Sequence, residues 1–333
     1  MKLIKRMFAL LIVSLCSNSY AIHIDKVVIW GHKLHSHTHS YIHYGFFKAF
    51  KKLGYNTLWI DNNDDISNID FKNTLFLSEH QVDQNIPIRK DCYYVIHNSS
   101  NEKYSLTRKN NHYIDLKVYR TRFLNSPTLV QIAPYTYHDL PNQSLIIPWA
   151  TDLLPSEIEA CKLKSPLHTR KNLDYIKNIF WIGTIGVGKH GNINELTPFI
   201  NACKARGIRF IHSDPWAKPV SPKLNLIKIQ KSYLAPAIVG TEQLEEEYIP
   251  CRIFKNISYG HLGGTNSKAV YHLFNEKIVF NSDTNLLFQD MEERLRTITL
   301  EEQYELMDFI KENHTYLNRI KNILQFLELL ATR

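Results

Sequence analysis

A strand-like segment, a helix-like segment and a second strand-like segment follow one another near the start of the chain. Residues 24–30 (IDKVVIW) are rich in branched and aromatic side chains, as a buried strand is. Residues 41–53 carry apolar side chains at near-helical spacing, Gly54 ends the segment, and residues 57–60 form the next apolar run. This order predicts a βαβ unit, which requires parallel strands and a right-handed crossover.

Similar segments continue along both halves of the chain. Further strands are predicted at residues 74–77, 92–96 and 128–132, and a second α/β unit begins at residue 178. Four prolines between the halves indicate a connection between domains: Pro141, Pro148, Pro155 and Pro166. A chain of 333 residues is long enough for two domains of ordinary size. The predicted fold class is therefore α/β, with two Rossmann-like domains.

The first 21 residues have the layout of a secretory signal. Basic residues precede a short apolar run over residues 8–16, and Ser19 and Ala21 are small residues at positions suited to cleavage. The apolar run is too short to span a bilayer comfortably. We expect export, or entry into the lumen of a secretory pathway. Membrane anchoring by an uncleaved N-terminus is the alternative.

The balance of charges favours an anionic ligand, because the formal net charge is +8. The cations are scattered, and no nucleic-acid-binding module can be recognised, so we expect no nucleic-acid partner. A basic surface is compatible with peripheral contact to a membrane. The cysteines after the signal are too widely spaced for a zinc motif, which predicts buried free thiols: Cys92, Cys161, Cys203 and Cys251.

A basic pair and a glycine-rich turn lie close together in the second half. Residues 248–267 read YIPCRIFKNISYGHLGGTNS, with Arg252 and Lys255 three positions apart and Gly260 following. This arrangement suits a diphosphate, because cations offset its charge and glycines let backbone N–H groups approach its oxygens. Three small polar residues are further candidates for phosphate or sugar contacts: Thr265, Asn266 and Ser267.

A second glycine-rich loop follows the first predicted strand of the second half. Gly183 and Thr184 end that strand, and Lys189 lies in the loop GVGKHG. Open α/β sheets bind ligands at the carboxyl ends of their strands, so these three residues are candidates for the same phosphate site. The loop lacks the spacing and the Lys-Ser/Thr pair of a Walker motif, which excludes a P-loop nucleoside triphosphatase.

The order of blocks in the second half resembles a known family. An Arg-x-Phe-x(5)-Gly block at residues 252–260 is followed by a strand with an acidic turn at 276–283 and by the sequence HTYLNR at 314–319. This order resembles the C-terminal domain of GT-B glycosyltransferases, and it is most similar to the group related to the spore-maturation protein CgeB. The resemblance is clearest over residues 178–325.

The resemblance implies a fold and a function. Two Rossmann-like domains would face a cleft, and a C-terminal helix would cross back to the first domain. The protein would be a hexosyl- or pentosyltransferase that moves a sugar from a nucleotide-diphosphate donor to a hydroxyl of a glycan, lipid or protein acceptor. GT-B enzymes generally need no metal, so the resemblance implies neither a metal nor a cofactor.

The expected organisation has five parts. They are the signal or anchor at residues 1–21, an acceptor domain at 22–145, a connection at 146–176, a donor-binding domain at 177–315 and a terminal helix at 316–333.

Lys255 departs from the family pattern. Many GT-B enzymes carry a glutamate at this position, and that carboxylate holds the donor ribose. A lysine cannot accept hydrogen bonds from ribose hydroxyls. Either Lys255 binds phosphate in an active transferase, or the chain is a catalytically degenerate carbohydrate-binding protein on the same fold.

Histidines are concentrated in residues 31–43 (GHKLHSHTHSYIH), which follow the first strand. His35, His37 and His39 alternate and could share one side of an extended segment as metal ligands, but no acidic cluster follows nearby. A histidine-dependent metalloenzyme is therefore the weaker alternative. The ends of the first four strands would face one cleft, and histidine can deprotonate a hydroxyl near neutral pH. His37, His39 and His80 are the candidate catalytic residues.

Overall fold

The computed structural model describes residues 22–33, 38–99, 102–168 and 177–333. The signal predicted at residues 1–21 and the catalytic candidate His37 lie outside these ranges. None of the described helices is long and apolar enough to cross a membrane. The cysteines within these ranges are free thiols: Cys92, Cys161, Cys203 and Cys251.

The described chain alternates strands and helices. Its strands are β1 (Lys26–Trp30), β2 (Asn56–Ile60), β3 (Thr74–Glu79), β4 (Tyr93–His97), β5 (Tyr113–Val118), β6 (Leu129–Ala133), β7 (Thr136–Asp139), β8 (Ser144–Ile147), β9 (Asn178–Ile182), β10 (Arg209–Ser213), β11 (Gly264–Thr265) and β12 (Val279–Phe280). Its helices are α1 (Thr38–Lys52), α2 (Ser105–Lys109), α3 (Pro155–Lys162), α4 (Ile193–Ala205), α5 (Pro222–Gln230), α6 (Thr241–Glu245), α7 (Cys251–Ser258), α8 (Lys268–Leu273), α9 (Thr284–Thr297), α10 (Leu300–Asn313) and α11 (Tyr316–Ala331). Short 3₁₀ turns cover His80–Val82 and Thr121–Phe123. This order confirms the predicted α/β class.

The described part of the first half forms a sheet in the order β2-β1-β3-β4-β5-β8-β7-β6. The neighbours from β2 to β8 run parallel, and β7 pairs antiparallel with both β8 and β6. Helix α1 connects β1 to β2, as the βαβ pattern predicts. The carboxyl ends of β1, β2, β3 and β4 therefore meet at one edge of the sheet.

Both faces of the central strands of this sheet are buried. On β1, Val27 and Ile29 belong to a cluster that includes Phe46 of α1, whereas Val28 and Trp30 belong to a separate cluster. Successive side chains of a strand point to opposite faces, so a strand covered on both sides must be apolar throughout. This explains the continuous apolar run that identified β1 in the sequence.

Residues 138–147 belong to the sheet region, although Pro141 was one of the prolines that suggested a connection between domains. Pro141 lies in the turn between β7 and β8, where the Asp139 carboxylate accepts a hydrogen bond from the Asn142 backbone N–H at 3.3 Å. Strand β8 then pairs parallel with β5 and extends the sheet to Ile147. Proline is as compatible with a tight turn as with a linker, so composition alone did not separate the two.

In the second half, the residues that the structure describes form two short parallel strand pairs, β9 with β10 and β11 with β12. Residues 232–238 lie between the pairs. The N–H of Tyr233 donates to the Asn178 carbonyl, and that of Ala237 donates to the Gly264 carbonyl, both at 2.8 Å. This segment joins the two pairs and brings the end of β9 close to the loop that follows residue 238.

The last helix, α11, packs on the first half. Tyr316 lies beside Phe46 of α1, with ring centroids 4.5 Å apart. The buried guanidinium of Arg319 donates to the carbonyl oxygens of Pro148 and Trp149 at 2.7 and 3.0 Å. Helix α11 therefore crosses back to the first half of the chain, as the family resemblance implies.

Two other residues in the family-like blocks support the fold. His314 Nδ1 accepts a hydrogen bond from Arg319 Nη2 at 2.9 Å, and burial lowers the pKa of His314 well below its usual value, which keeps the ring neutral. The Asp283 carboxylate caps α9 by accepting from the N–H groups of Asn285 and Leu286 at 2.8 and 3.2 Å.

Candidate active site

A cavity of about 210 Å³ lies between α1 and the carboxyl end of β9. Thr38 and Tyr41 line it from the first half, and the remaining lining residues come from the second half. They are Trp181, Ile182, Gly183, Thr184, Gly186, His190, Asn192, Asn225, Ile238, Val239, Gln243, Tyr248, Pro250, Cys251, Arg252 and Lys255. We call this space the donor cavity, because several of the residues predicted to bind a donor line it.

Arg252 is held in the donor cavity by an aromatic ring and a glycine. Its guanidinium carbon lies 3.8 Å from the ring centroid of Trp181 on β9. Gly183 has a φ of +137°, and a Cβ there would collide with Nη2 of Arg252. Only glycine therefore combines this backbone conformation with room for the guanidinium. Burial lowers the pKa of Arg252 to about 10, so the group is charged at neutral pH.

Lys255 lies one helical turn further along α7 and is 6% exposed. Its Nζ is 5.7 Å from the ring centroid of Tyr41. Burial, followed by repulsion from Arg252, lowers the pKa of Lys255 to about 7. Within the described ranges, neither cation has a carboxylate at ion-pair distance. The donor cavity therefore holds a guanidinium and, below neutral pH, an ammonium, whose charge an anion would offset.

Two buried polar atoms of the cavity wall also lack hydrogen-bond partners in the part of the chain that the structure describes. They are Nε1 of Trp181 and Oδ1 of Asn225, whose residues are 2% and 5% exposed. The indole nitrogen can only donate, and the amide oxygen can only accept. The cavity therefore offers one buried donor and one buried acceptor in addition to its cations.

The loop after β9 leads into the N-terminus of α4, which also lines the donor cavity. The N–H groups of Asn192 and Ile193 both donate to the Gly186 carbonyl at 3.1 Å, which closes the loop. His190 Nδ1 donates a hydrogen bond to the Glu242 carboxylate. The helix N-terminus carries a partial positive charge and adds to the positive potential of the cavity.

The structure brings four of the predicted phosphate-binding residues together in the donor cavity: Gly183, Thr184, Arg252 and Lys255. Lys189 is exposed and lies in the same loop without lining the cavity. Gly260 ends α7 with a φ of +98° and packs against Ser165, whose hydroxyl donates to the Gly260 carbonyl at 2.8 Å. Gly260 thus forms the turn after the helix rather than a wall of the cavity.

The small polar segment that follows is buried and hydrogen-bonded within the fold. Thr265 Oγ1 donates to the Ala237 carbonyl at 3.0 Å, and Ser267 caps α8. The Asn266 amide accepts from the Val239 N–H at 3.0 Å and donates to the Val239 carbonyl at 2.9 Å. Asn266 therefore acts on the cavity indirectly, because Val239 is one of its lining residues.

A second cavity, of about 220 Å³, lies at the carboxyl edge of the first sheet. We call it the acceptor cavity, because it is lined by His39, one of the histidines predicted for the acceptor side. Its lining residues are Thr38, His39, His97, Asn98, Val118, Arg120, Arg122, Phe123, Trp149, Gln243 and Tyr248. Thr38, Gln243 and Tyr248 line both cavities, so the two spaces adjoin.

The two described histidines that were predicted to be catalytic, His39 and His80, do not line the same cavity. His39 lines the acceptor cavity, whereas His80 lies in the 3₁₀ turn after β3, 3.6 Å from the Asp83 carboxylate, and lines neither cavity. His97, at the end of β4, lines the acceptor cavity beside His39, with ring centroids 5.6 Å apart. The position of His97 at a strand end was the sequence signal that could have identified it.

Solved structures with a similar fold support this architecture. An alpha-glucosyltransferase in complex with UDP and a 13-mer DNA containing a HMU base is 9% identical, with 92% of this chain and 100% of that chain covered and a TM-score of 0.55. An alpha,alpha-trehalose-phosphate synthase (UDP-forming) from Burkholderia vietnamiensis is 8% identical. The match covers 93% of this chain and 99% of that chain, with a TM-score of 0.52. The chain therefore has an α/β fold with a large parallel sheet that matches GT-B glycosyltransferase structures.

The similarity lies in the fold rather than in the sequence. No protein-family model matches the chain, and no curated protein matches it.

Proposed function

We propose that the protein is a glycosyltransferase that uses a nucleotide-diphosphate sugar as its donor. The observation that carries this proposal is the pair Arg252 and Lys255, two basic side chains in one cavity without a carboxylate at ion-pair distance among the described residues. Two neighbouring cations removed from water are unfavourable unless an anion accompanies them. A diphosphate supplies two negative charges in a compact group that matches this pair.

Each cation has a distinct role in this proposal. The planar guanidinium of Arg252 can donate two parallel hydrogen bonds to phosphate oxygens, while Lys255 acts as a point charge. Trp181 Nε1 and Asn225 Oδ1 supply a donor and an acceptor for the nucleoside or the sugar. In the reaction, the bond between the anomeric carbon and the diphosphate breaks. Both cations would then stabilise the charge that develops on the leaving diphosphate.

The acceptor hydroxyl would enter through the acceptor cavity. His97 Nδ1 lies 3.0 Å from the Leu116 carbonyl and donates to it, which leaves Nε2 as the basic nitrogen of the neutral ring. Burial lowers the pKa of His97, so the ring is neutral at physiological pH. We propose His97 as the group that takes the hydroxyl proton when the new glycosidic bond forms. His39 lines the same cavity and stays a candidate for this step.

Titration of the full chain with UDP-glucose and with GDP-mannose tests the donor site. Arg252→Ala should weaken binding of the preferred donor by roughly 10- to 100-fold, the range for losing hydrogen bonds to a charged group. Arg209→Ala is the matched control, because this exposed arginine lies at the start of β10, away from the donor cavity. Equal donor affinity in folded Arg252→Ala and the wild type would refute the proposed role.

Donor hydrolysis separates an active enzyme from the carbohydrate-binding alternative. A transferase should slowly release nucleoside diphosphate from its bound donor, and Arg252→Ala should slow that release. Tight donor binding with no release and no transfer would favour the degenerate binding protein. Similarity to the CgeB-related group and export through residues 1–21 stay predictions.

A further inference from the structure

We infer that His32, His39 and Glu79 bind one divalent transition-metal ion. One ligand atom from each of these side chains lies within 4.8 Å of the other two. The imidazole rings of His32 and His39 have centroids 5.2 Å apart, and His32 Nε2 is 3.4 Å from Glu79 Oε2. Two imidazoles and one carboxylate form a common donor set for zinc and related ions, with further coordination positions left open.

Local backbone structure constrains two of these ligands, Glu79 and His32. The Glu79 carboxylate accepts a hydrogen bond from the Gln81 N–H at 3.0 Å, which holds it at the end of β3. After β1, Gly31 has a φ of +88° and His32 a φ of +58°. A left-handed non-glycine residue is strained, and such strain persists where the surrounding structure imposes it, most often at functional sites.

The charge of the site also favours a cation. Glu79 is 1% exposed, and no lysine or arginine of the described chain lies at ion-pair distance from its carboxylate. A buried carboxylate is stabilised by a paired cation or by coordination to a metal. His32 offers one contact to it, and a divalent ion bound to all three side chains would offset its charge fully.

This site differs from both expectations of the sequence analysis. The alternating pattern suggested His35, His37 and His39 as metal ligands, and the family resemblance implied no metal. The missing acidic ligand comes from β3, which is distant in the sequence and adjacent to β1 in the sheet. His39 also lines the acceptor cavity, so an ion at this site would lie beside the acceptor. The inference does not depend on the donor cavity or on transferase activity.

Metal binding to the full chain tests the inference directly. Chelator-treated protein should bind one equivalent of Zn²⁺ in equilibrium dialysis, and Co²⁺ should give the visible absorption of a histidine-ligated site. His39→Ala and Glu79→Gln should each weaken Zn²⁺ binding by more than about tenfold, because even residues behind the ligands have effects of this size. His272→Ala is the control, because this exposed histidine lies in the second half.

Two outcomes would overturn the inference. One is a wild-type protein that binds much less than one equivalent of Zn²⁺. The other is equal Zn²⁺ affinity in His39→Ala, Glu79→Gln and His272→Ala, which would indicate adventitious binding to histidines. If the buried Glu79→Gln variant fails to fold, the Zn²⁺ affinity of His39→Ala decides between the outcomes. His39 lies half-buried in the first turn of α1, so its replacement disturbs the core less. Thermal unfolding of the metal-free variants checks the fold independently.

Discussion

The guanidinium carbon of Arg252 lies 3.8 Å from the ring centroid of Trp181. Stacking occupies one face of the guanidinium and leaves the N–H groups in its plane available to an anion. Because Trp181 belongs to β9 and Arg252 to α7, the contact positions the cation at the carboxyl end of a strand. Ligands of open α/β sheets bind at this edge.

Donor affinity should depend on pH through Lys255. Its pKa of about 7 means that the side chain is a charged ammonium below neutral pH and a neutral amine above it. A bound diphosphate favours the charged form, so affinity for UDP-glucose should fall as pH rises from 6 to 8.5. The fall should be about tenfold if the ligand raises this pKa by about one unit. Titration calorimetry at several pH values measures it.

The control for this pH dependence is Lys255→Met, which should bind more weakly at pH 6 and show a flatter profile. UDP-glucose is suitable because both of its phosphates are esterified and keep their charge over this range. His190 also lines the cavity, so His190→Gln should be titrated alongside. A steep profile that survives in Lys255→Met would assign the dependence to another group.

Lys255→Met should stabilise the protein in the absence of ligand. The pKa of Lys255 is about 7 in the fold and has its ordinary value of 10.5 in the unfolded chain. The unfolded state therefore binds more protons between these pH values, and wild-type stability rises with pH across them. The variant should gain about 1–4 kcal/mol at pH 6.5, the range for replacing buried charged groups with apolar ones.

Urea unfolding at pH 6.5 and at pH 9.5 tests this prediction, because the gain from Lys255→Met should shrink at the higher pH. A variant that is less stable than the wild type at pH 6.5 would show that the ammonium has a stabilising partner. Loss of donor affinity together with a gain in stability would identify Lys255 as a residue retained for binding.

Arg319→Ala should destabilise the contact between α11 and the first half. The buried guanidinium donates to the carbonyl oxygens of Pro148, Trp149 and Asn313 and to His314 Nδ1. Its removal leaves these acceptors without their donor, which costs about 1–3 kcal/mol for each acceptor that stays buried and unsatisfied.

Chemical denaturation measures the loss, and Arg333→Ala is the control. Arg333 is exposed near the end of the same helix and donates to the Leu140 carbonyl at 3.0 Å. This surface variant should change stability by less than about 0.5 kcal/mol. If Arg319→Ala behaves like Arg333→Ala, the buried hydrogen bonds do not hold α11 in place.

The local parts of the fold were predictable from the sequence. Strand β1, helix α1 and strand β2 follow from apolar periodicity and from glycine positions, because these signals act over neighbouring residues. The turn at Pro141 was harder to predict, because proline occurs in both turns and linkers. The antiparallel pairing of β6 depends on contacts with β7 that periodicity alone does not specify.

Residues of the donor cavity were predictable where a charged side chain or a glycine at a strand end marked them in the sequence. Arg252, Lys255 and Gly183 combine cations with a glycine at a strand end, and the structure brings them together. Thr265, Asn266 and Ser267 look similar in sequence, but their polar groups are used within the fold. A hydroxyl or amide suits a phosphate and a backbone group equally well, so its partner depends on tertiary structure.

Other candidate site residues were not marked by any pattern in the neighbouring sequence. Asn225 lies within α5 among apolar residues, and its role depends on a cavity formed by distant segments. Glu79 and His32 are separated by 47 residues in the chain and meet because β1 and β3 are neighbours in the sheet. Such contacts become visible only when the strand order is known.

Thermal unfolding of the full chain with a panel of nucleotide sugars, without added metal, tests the central claim most directly. At a hundred times its Kd, a ligand of the folded state adds about 2.7 kcal/mol of stability. We therefore predict a rise of several degrees in Tm with one nucleotide family in the wild type and in Arg209→Ala, and a much smaller rise in Arg252→Ala. No shift with any nucleotide sugar, or an equal shift in all three proteins, would contradict a donor site at Arg252 and Lys255.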